Sequence, residues 1–162
     1  MNNITLVNIT IAKNFNNKVV YKHNSVGIFL LIAVLERSGY KVSFCEYCME
    51  YKRQLSEEIN EFINTIDTVS PMIGIGCHSV HLPFVVKVTE ALKKRFPDKI
   101  IILGGAGPSS VAEDLLEKFD FIDAVVVGEG EETIVEIVKK GLSGFGEIKG
   151  IVYRGADKVH VN

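Results

Sequence analysis

The sequence predicts an α/β fold in which a mainly parallel sheet is covered by helices on both faces. Three observations carry that expectation. Short runs of branched apolar residues alternate with longer amphipathic segments, and turn residues separate the two kinds. The chain has 162 residues, of which 47% are hydrophobic, enough for one sizeable core. No linker, low-complexity tract or internal repeat interrupts the alternation. One compact domain is therefore expected over residues 1–162, with an α/β core to about residue 146 and a terminal hairpin over 147–162.

The elements follow in order. Residues 4–11, ITLVNITI, are rich in branched apolar side chains and too short for a helix, so they read as a first strand. A polar, Asn-rich loop runs on through Asn24. Ser25 is placed to cap the helix VGIFLLIAVLERSG, whose apolar stripe reads as core and whose end is marked by Gly39. KVSFCEY is the second strand, and an amphipathic helix spans about Arg53 to Ile66. The strand MIGIGCHS, the helix LPFVVKVTEALKKRF and the strand KIIILGG come next, then the helix SSVAEDLLEKF, the strand AVVVGEG and the helix EETIVEIVKKGL. Five strand–helix units of this kind imply a Rossmann-like, flavodoxin-like three-layer sandwich, its five parallel strands in the order 2-1-3-4-5. GIVYR, GADK and VHVN then form a closing hairpin.

Composition narrows the function. Eighteen Lys and Arg against twenty Asp and Glu give a formal charge of −2, and the basic residues are scattered, so nucleic acid is not an expected partner. No apolar run approaches a bilayer-spanning length and no basic leader precedes one, so a cytoplasmic protein without membrane contact is expected. Three cysteines, Cys45, Cys48 and Cys77, do not make a disulfide framework.

Sheets of this type hold ligands beyond the carboxyl ends of their strands. The loops there are GCHSVH after strand three, GGAGPSS after strand four and GEGEET after strand five. Glycine permits positive φ and lets a ligand touch the main chain, while the next helix offers free N–H groups. Two adjacent glycine-rich loops on one edge favour a ligand over tight turns alone. The dinucleotide fingerprint is absent, because Gly105-Ala106-Gly107 and Gly128-Glu129-Gly130 follow the fourth and fifth strands and lack the third glycine. A phosphate-cradling GxxxxGK[ST] is missing. The first strand runs into Ile11-Ala12-Lys13 without the acidic residues a Mg²⁺-dependent receiver would need.

IILGGAGPSS, AVVVGEGEETIVEIV about twenty residues later, and IKGIVYR with its hairpin together resemble the N-terminal cobalamin-binding domain of cobalamin-dependent radical S-adenosylmethionine enzymes. SVGIFLLIAVLERSGYKVSFCE is similar to that family's first helix and following strand, so the resemblance covers nearly the whole chain. It implies a module that binds the cofactor and performs no chemistry alone, in an enzyme commonly transferring methyl groups. A corrin ring would rest across the strand ends with its nucleotide tail in a slot between sheet and helix. Cys77, His78 and Ser79 would border it; Gly104, Gly105, Ala106 and Gly107 would leave room for the tail; Ser79 and Ser109 would bond its polar atoms. Gly128, Glu129, Gly130 and Glu131 would face the corrin amides. Gly105→Val is accordingly expected to abolish binding and leave the fold intact, unless its φ is positive. With no DxHxxG motif, the cofactor is expected base-off, without a protein histidine on cobalt. The [4Fe-4S] cluster and S-adenosylmethionine would belong to a radical domain of the same polypeptide, whose CxxxCxxC motif this sequence lacks. The competing reading is a stand-alone flavodoxin-like or nucleotide-binding domain with a different ligand.

Other residues have plainer readings. Cys45 and Cys48 form a CxxC that does not open a helix, so a redox pair is disfavoured. His78 and His81 beside Cys77 read as turn residues more readily than as metal ligands, and no metal or catalytic residue is assigned. Glu131 and Glu132 suit a helix N-terminus through its dipole.

Overall fold

The computed structural model describes residues 3–12, 14–15, 18–19, 26–50, 53–66 and 69–162. Ser25 and much of the Asn-rich loop lie outside the described residues. Within that loop, Asn14–Phe15 and Lys18–Val19 pair antiparallel.

The first strand, β1 (Ile4–Ala12), leads to α1 (Val26–Arg37), β2 (Val42–Glu50) and α2 (Leu55–Thr65). β3 (Met72–Gly76), a 3₁₀ turn (Ser79–His81), α3 (Leu82–Arg95) and β4 (Ile100–Gly104) follow. After them come α4 (Ala106–Ser109), α5 (Ala112–Lys118), β5 (Ala124–Val126) and α6 (Glu131–Lys140). A 3₁₀ segment (Leu142–Glu147) precedes β6 (Ile151–Arg154) and β7 (Val159–Val161).

The strands stand in the order β2-β1-β3-β4-β5-β6-β7. β1 to β5 are mutually parallel, as expected. The terminal hairpin differs from its expected place: β6 pairs antiparallel with β5 and β7 with β6, so the sheet has seven strands rather than five with a hairpin beside them. The physical reason is the free edge of β5, whose unpaired backbone groups need partners.

Alternation along each strand divides the core. Val7, Ile9, Ile73, Ile75, Ile101, Leu103 and Val125 face one side, where Phe62 and Ile63 of α2, Val85, Val88 and Leu92 of α3, and Leu115 and Leu116 of α5 cover them. Ile4, Leu6, Met72, Ile102, Ala124 and Val126 face the other, beneath Ile28 and Leu35 of α1 and Ile134 and Ile137 of α6. The molecule thus has the three layers expected.

Two readings need correction. The helix expected over residues 109–119 is two helices, starting earlier at Ala106 and breaking at Val111, where φ is −139°. Its first turn forms directly after Gly105, whose carbonyl accepts the Ser109 N–H at 3.1 Å. The apolar stripe of α1 is not all core: within the helix only Ile28 and Leu35 are buried, while Val26 is 72%, Phe29 46% and Leu30 48% exposed. Its sequence is apolar on more than one face, and a helix on a sheet can bury only one.

Candidate functional site

The site lies where the strand order reverses. The chain leaves β1 into α1 on one face and leaves β3 into α3 on the other, so the carboxyl ends of these neighbouring strands open a crevice.

Register determines what lines it. On the α1–α6 face, Leu6 of β1 stands beside Gly74 of β3 and Ile102 of β4, and one step further Asn8 stands beside Gly76 and Gly104. Three of these six positions have no side chain. Ile28 and Leu31 of α1 and Ile134 of α6 lie opposite, which leaves a slot of about 230 Å³ between the sheet and the two helices. Glycine inside a strand ordinarily weakens it, and here it leaves bare backbone for something to lie against. A Cβ on Gly76 would approach nothing nearer than the Val7 carbonyl oxygen at 3.9 Å, and one on Gly104 nothing nearer than Val126 Cβ at 3.9 Å. Gly74 is tighter, its Cβ meeting Leu6 Cδ2 at 2.8 Å.

The glycines after β4 serve a different purpose. Gly105 has φ +92°, and a Cβ there would stand 2.8 Å from the Cys77 carbonyl oxygen. A Cβ on Gly107 would stand 2.8 Å from His78 C and Ser79 N. The two loops are joined by main-chain bonds: the Cys77 N–H donates to Gly104 O at 3.0 Å and the Gly107 N–H to Cys77 O at 3.2 Å. Gly105 and Gly107 are thus required by the chain's own backbone, whatever else approaches.

Cys77, His78, Gly104, Gly105, Ala106, Gly128, Glu129, Gly130 and Glu131 all border the slot. Ser79, Gly107 and Ser109 stand outside its lining. Ser79 is exposed at the start of the 3₁₀ turn, and the Ser109 hydroxyl donates to Val126 O at 3.1 Å, tying α4 to the end of β5. The Cys77 side chain packs into the core of the opposite face, where burial pushes its thiol pKa up to about 12. His78 is exposed; His81, its ring 6.4 Å away, is buried, which holds its pKa below the usual histidine range. Among the described residues no group of three or more His, Cys, Asp or Glu could hold a metal ion. Cys45 and Cys48 are free thiols on β2, and their odd spacing turns them to opposite faces of the sheet.

Asn8, Gly74 and Gly76 are among the slot residues that reading the loops alone misses, as are the apolar walls from α1 and α6. The available signal was MIGIG, where two glycines at the strand period bare one face.

A doubly wound sheet whose carboxyl edge opens into an apolar, glycine-floored slot defines a ligand-holding module. Residues 13–138 match the family described as B12 binding domain, and the chain belongs to that family. This sets aside the flavodoxin-like or nucleotide-binding alternative. The anaerobic magnesium-protoporphyrin IX monomethyl ester cyclase of Synechocystis sp. is 33% identical over 86 residues, 52% of this chain and 17% of that protein. The hopanoid C-3 methylase of Methylococcus capsulatus is 28% identical over 119 residues, 70% of this chain and 21% of that protein. The chain therefore spans about a fifth of the length of these relatives. In structure it is similar to OxsB, a cobalamin-dependent S-adenosylmethionine radical enzyme solved with aqua-cobalamin and S-adenosylmethionine bound. The TM-score is 0.70 at 18% identity, covering 97% of this chain and 22% of that one. That likeness concerns the fold. Among the described residues no helix is long and apolar enough to cross a membrane.

Proposed function

We propose that this chain holds cobalamin for a radical S-adenosylmethionine enzyme of methyltransferase type, presenting the corrin at the carboxyl edge of the sheet and taking the nucleotide tail into the slot. The observation that carries the reading is the bare floor at Gly76 and Gly104, a cradle that any Cβ would begin to fill. Aliphatic walls from Ile28, Leu31 and Ile134 suit the faces of a heterocycle, and the loops at Gly104–Gly105 and Gly128–Gly130 bring main chain to the rim. When bound, cobalamin supplies the cobalt that carries a transferable group. This chain's residues bind and orient it and exclude water from the tail. With the tail in the slot the cofactor is base-off, and we place no protein histidine on cobalt, in keeping with the missing DxHxxG.

OxsB is itself a cobalamin-dependent S-adenosylmethionine radical enzyme, which supports a radical partner domain that would hold the [4Fe-4S] cluster and S-adenosylmethionine in the same polypeptide. We delimit the cofactor module as an α/β core to about residue 146 and a hairpin over 147–162 leading toward that domain. Exposed Val26, Phe29 and Leu30 on α1 with Phe44 on β2 offer apolar surface of the kind another domain covers. Three free cysteines favour the reducing cytoplasm.

The test is Gly76→Val and Gly104→Val. Neither position is crowded, and valine favours strands, so both variants should keep the fold by circular dichroism and thermal unfolding. Overfilling a packed site costs about 1–3 kcal/mol, so hydroxocobalamin affinity followed by visible absorbance should fall roughly ten- to a hundredfold. Folded variants that bind as tightly as the parent would exclude the slot as the tail site.

A further inference from the structure

Asn8 is unusual among the buried polar side chains. It is only 6% exposed, lies on the slot face of β1 and borders the slot. Most others are engaged by protein. Thr5 bonds Ser70, Thr10 donates to Tyr47 O, Glu58 accepts from Tyr47, Thr89 donates to Val85 O and Thr133 to Lys149 O. The Asn8 carboxamide has no such partner among the described residues. His81 Nδ1 also lacks one, but His81 does not border the slot. Its polar atoms are not sealed into the core but open into the slot, where a carboxamide that no protein group engages is free to meet a ligand atom.

The surroundings specify that atom. The in-line neighbours of Asn8 on β3 and β4 are Gly76 and Gly104, so no side chain stands between the carboxamide and the floor of the slot. Leu6, Ile28, Leu31 and Ile134 give the slot aliphatic walls, while His78, Glu129 and Glu131 border it from the loops. A carboxamide offers two N–H donors and one acceptor. We infer that Asn8 is the specificity residue for the cofactor's lower base, its side-chain N–H donating to the ring nitrogen that a heterocyclic base exposes once it has left cobalt. A base buried in the slot by its apolar faces needs a donor for that nitrogen, and among the described strand side chains that line the slot Asn8 alone supplies one. The slot thus selects corrinoids bearing a nitrogen heterocycle over corrinoids without a lower base. This inference rests on the cobalamin reading above.

The experiment compares two probes, aquacobalamin and cobinamide, which has the corrin but no nucleotide tail. Asn8→Leu keeps the approximate shape and removes both donor and acceptor. It should weaken aquacobalamin by about tenfold, the loss of one buried hydrogen bond, and leave cobinamide affinity unchanged. Should Asn8→Leu fail to fold, Asn8→Ser, which keeps an O–H donor, should show a smaller loss for aquacobalamin and again none for cobinamide. Equal losses for both probes, or no loss for either, would overturn the role of Asn8 while leaving the cobalamin reading intact. A parent protein that binds neither probe would overturn that reading, and this inference with it.

Discussion

At Gly105, φ of +92° and the 2.8 Å approach of a Cβ to Cys77 O act together, whereas Gly128 has φ +79° and nothing within 4 Å. Replacement by alanine separates the two effects. Gly128→Ala should cost only the left-handed conformation, about 1–2 kcal/mol. Gly105→Ala should cost more, because the loop after β3 must also give way, and urea titration of the pair measures the difference. Gly105→Val is therefore expected to lose stability, so the sequence-based expectation of an intact fold holds only for its negative-φ branch. The same scale decides Cys77. Buried at 6% exposure with its pKa raised to about 12, it should stay unmodified by a thiol reagent at pH 8 until the protein unfolds. Mass spectrometry of the labelled peptides checks this, and labelling of Cys77 in the folded protein as rapid as in the unfolded chain would contradict it.

Helix α2 is held to the sheet by a polar contact inside an aromatic cluster. Tyr47 of β2 stacks on Phe84 and meets Phe62 edge-on, and its hydroxyl donates to Glu58 Oε2 at 2.6 Å. Glu58 is 3% exposed and also pairs with Arg53 at 3.4 Å. Tyr47→Phe keeps the ring and removes the donor from a buried carboxylate, so it should destabilise the protein by about 1.5–3 kcal/mol in denaturant titration. A change below about 0.5 kcal/mol, the scale of an ordinary surface substitution, would show that Glu58 is satisfied without the Tyr47 hydroxyl. The amphipathic pattern of residues 53–66 made this helix legible in sequence. That a glutamate would sit on its buried side was not, because the hydroxyl that accepts its burial comes from a strand and lies outside the helix pattern.

Across the whole molecule the buried His81 links folding to pH. Burial is the first cause of its lowered pKa and neighbouring His78 the second. The unfolded chain takes up a proton near pH 6.5 that the folded protein resists, so the unfolded state binds more protons below that value. Stability should be full above about pH 6.5 and fall as the pH drops toward the folded-state value. His81→Leu should flatten that part of the stability profile measured by thermal unfolding between pH 5 and 8. An unchanged profile would assign the acid sensitivity to other groups.

The order of the five parallel strands, the three layers and the edge at which the slot opens were all legible in the sequence alone. Periodicity, caps and turn residues act over a few neighbours, and chirality leaves few ways to connect the units. The loops GGAG and GEGE were legible for the same reason. Only the tertiary structure decided what each glycine is for. Gly105 and Gly107 answer to the main chain of residues 77–79, while Gly76 and Gly104 answer to the slot, and within GGAG nothing in the local sequence distinguishes Gly104 from Gly105 and Gly107. It also brought Asn8 beside Gly76 and Gly104 from three separate strands, through a register that depends on the packing of both sheet faces. The place of the hairpin on the free edge of β5 was settled in the same way, by backbone groups that find partners only once the parallel strands are assembled.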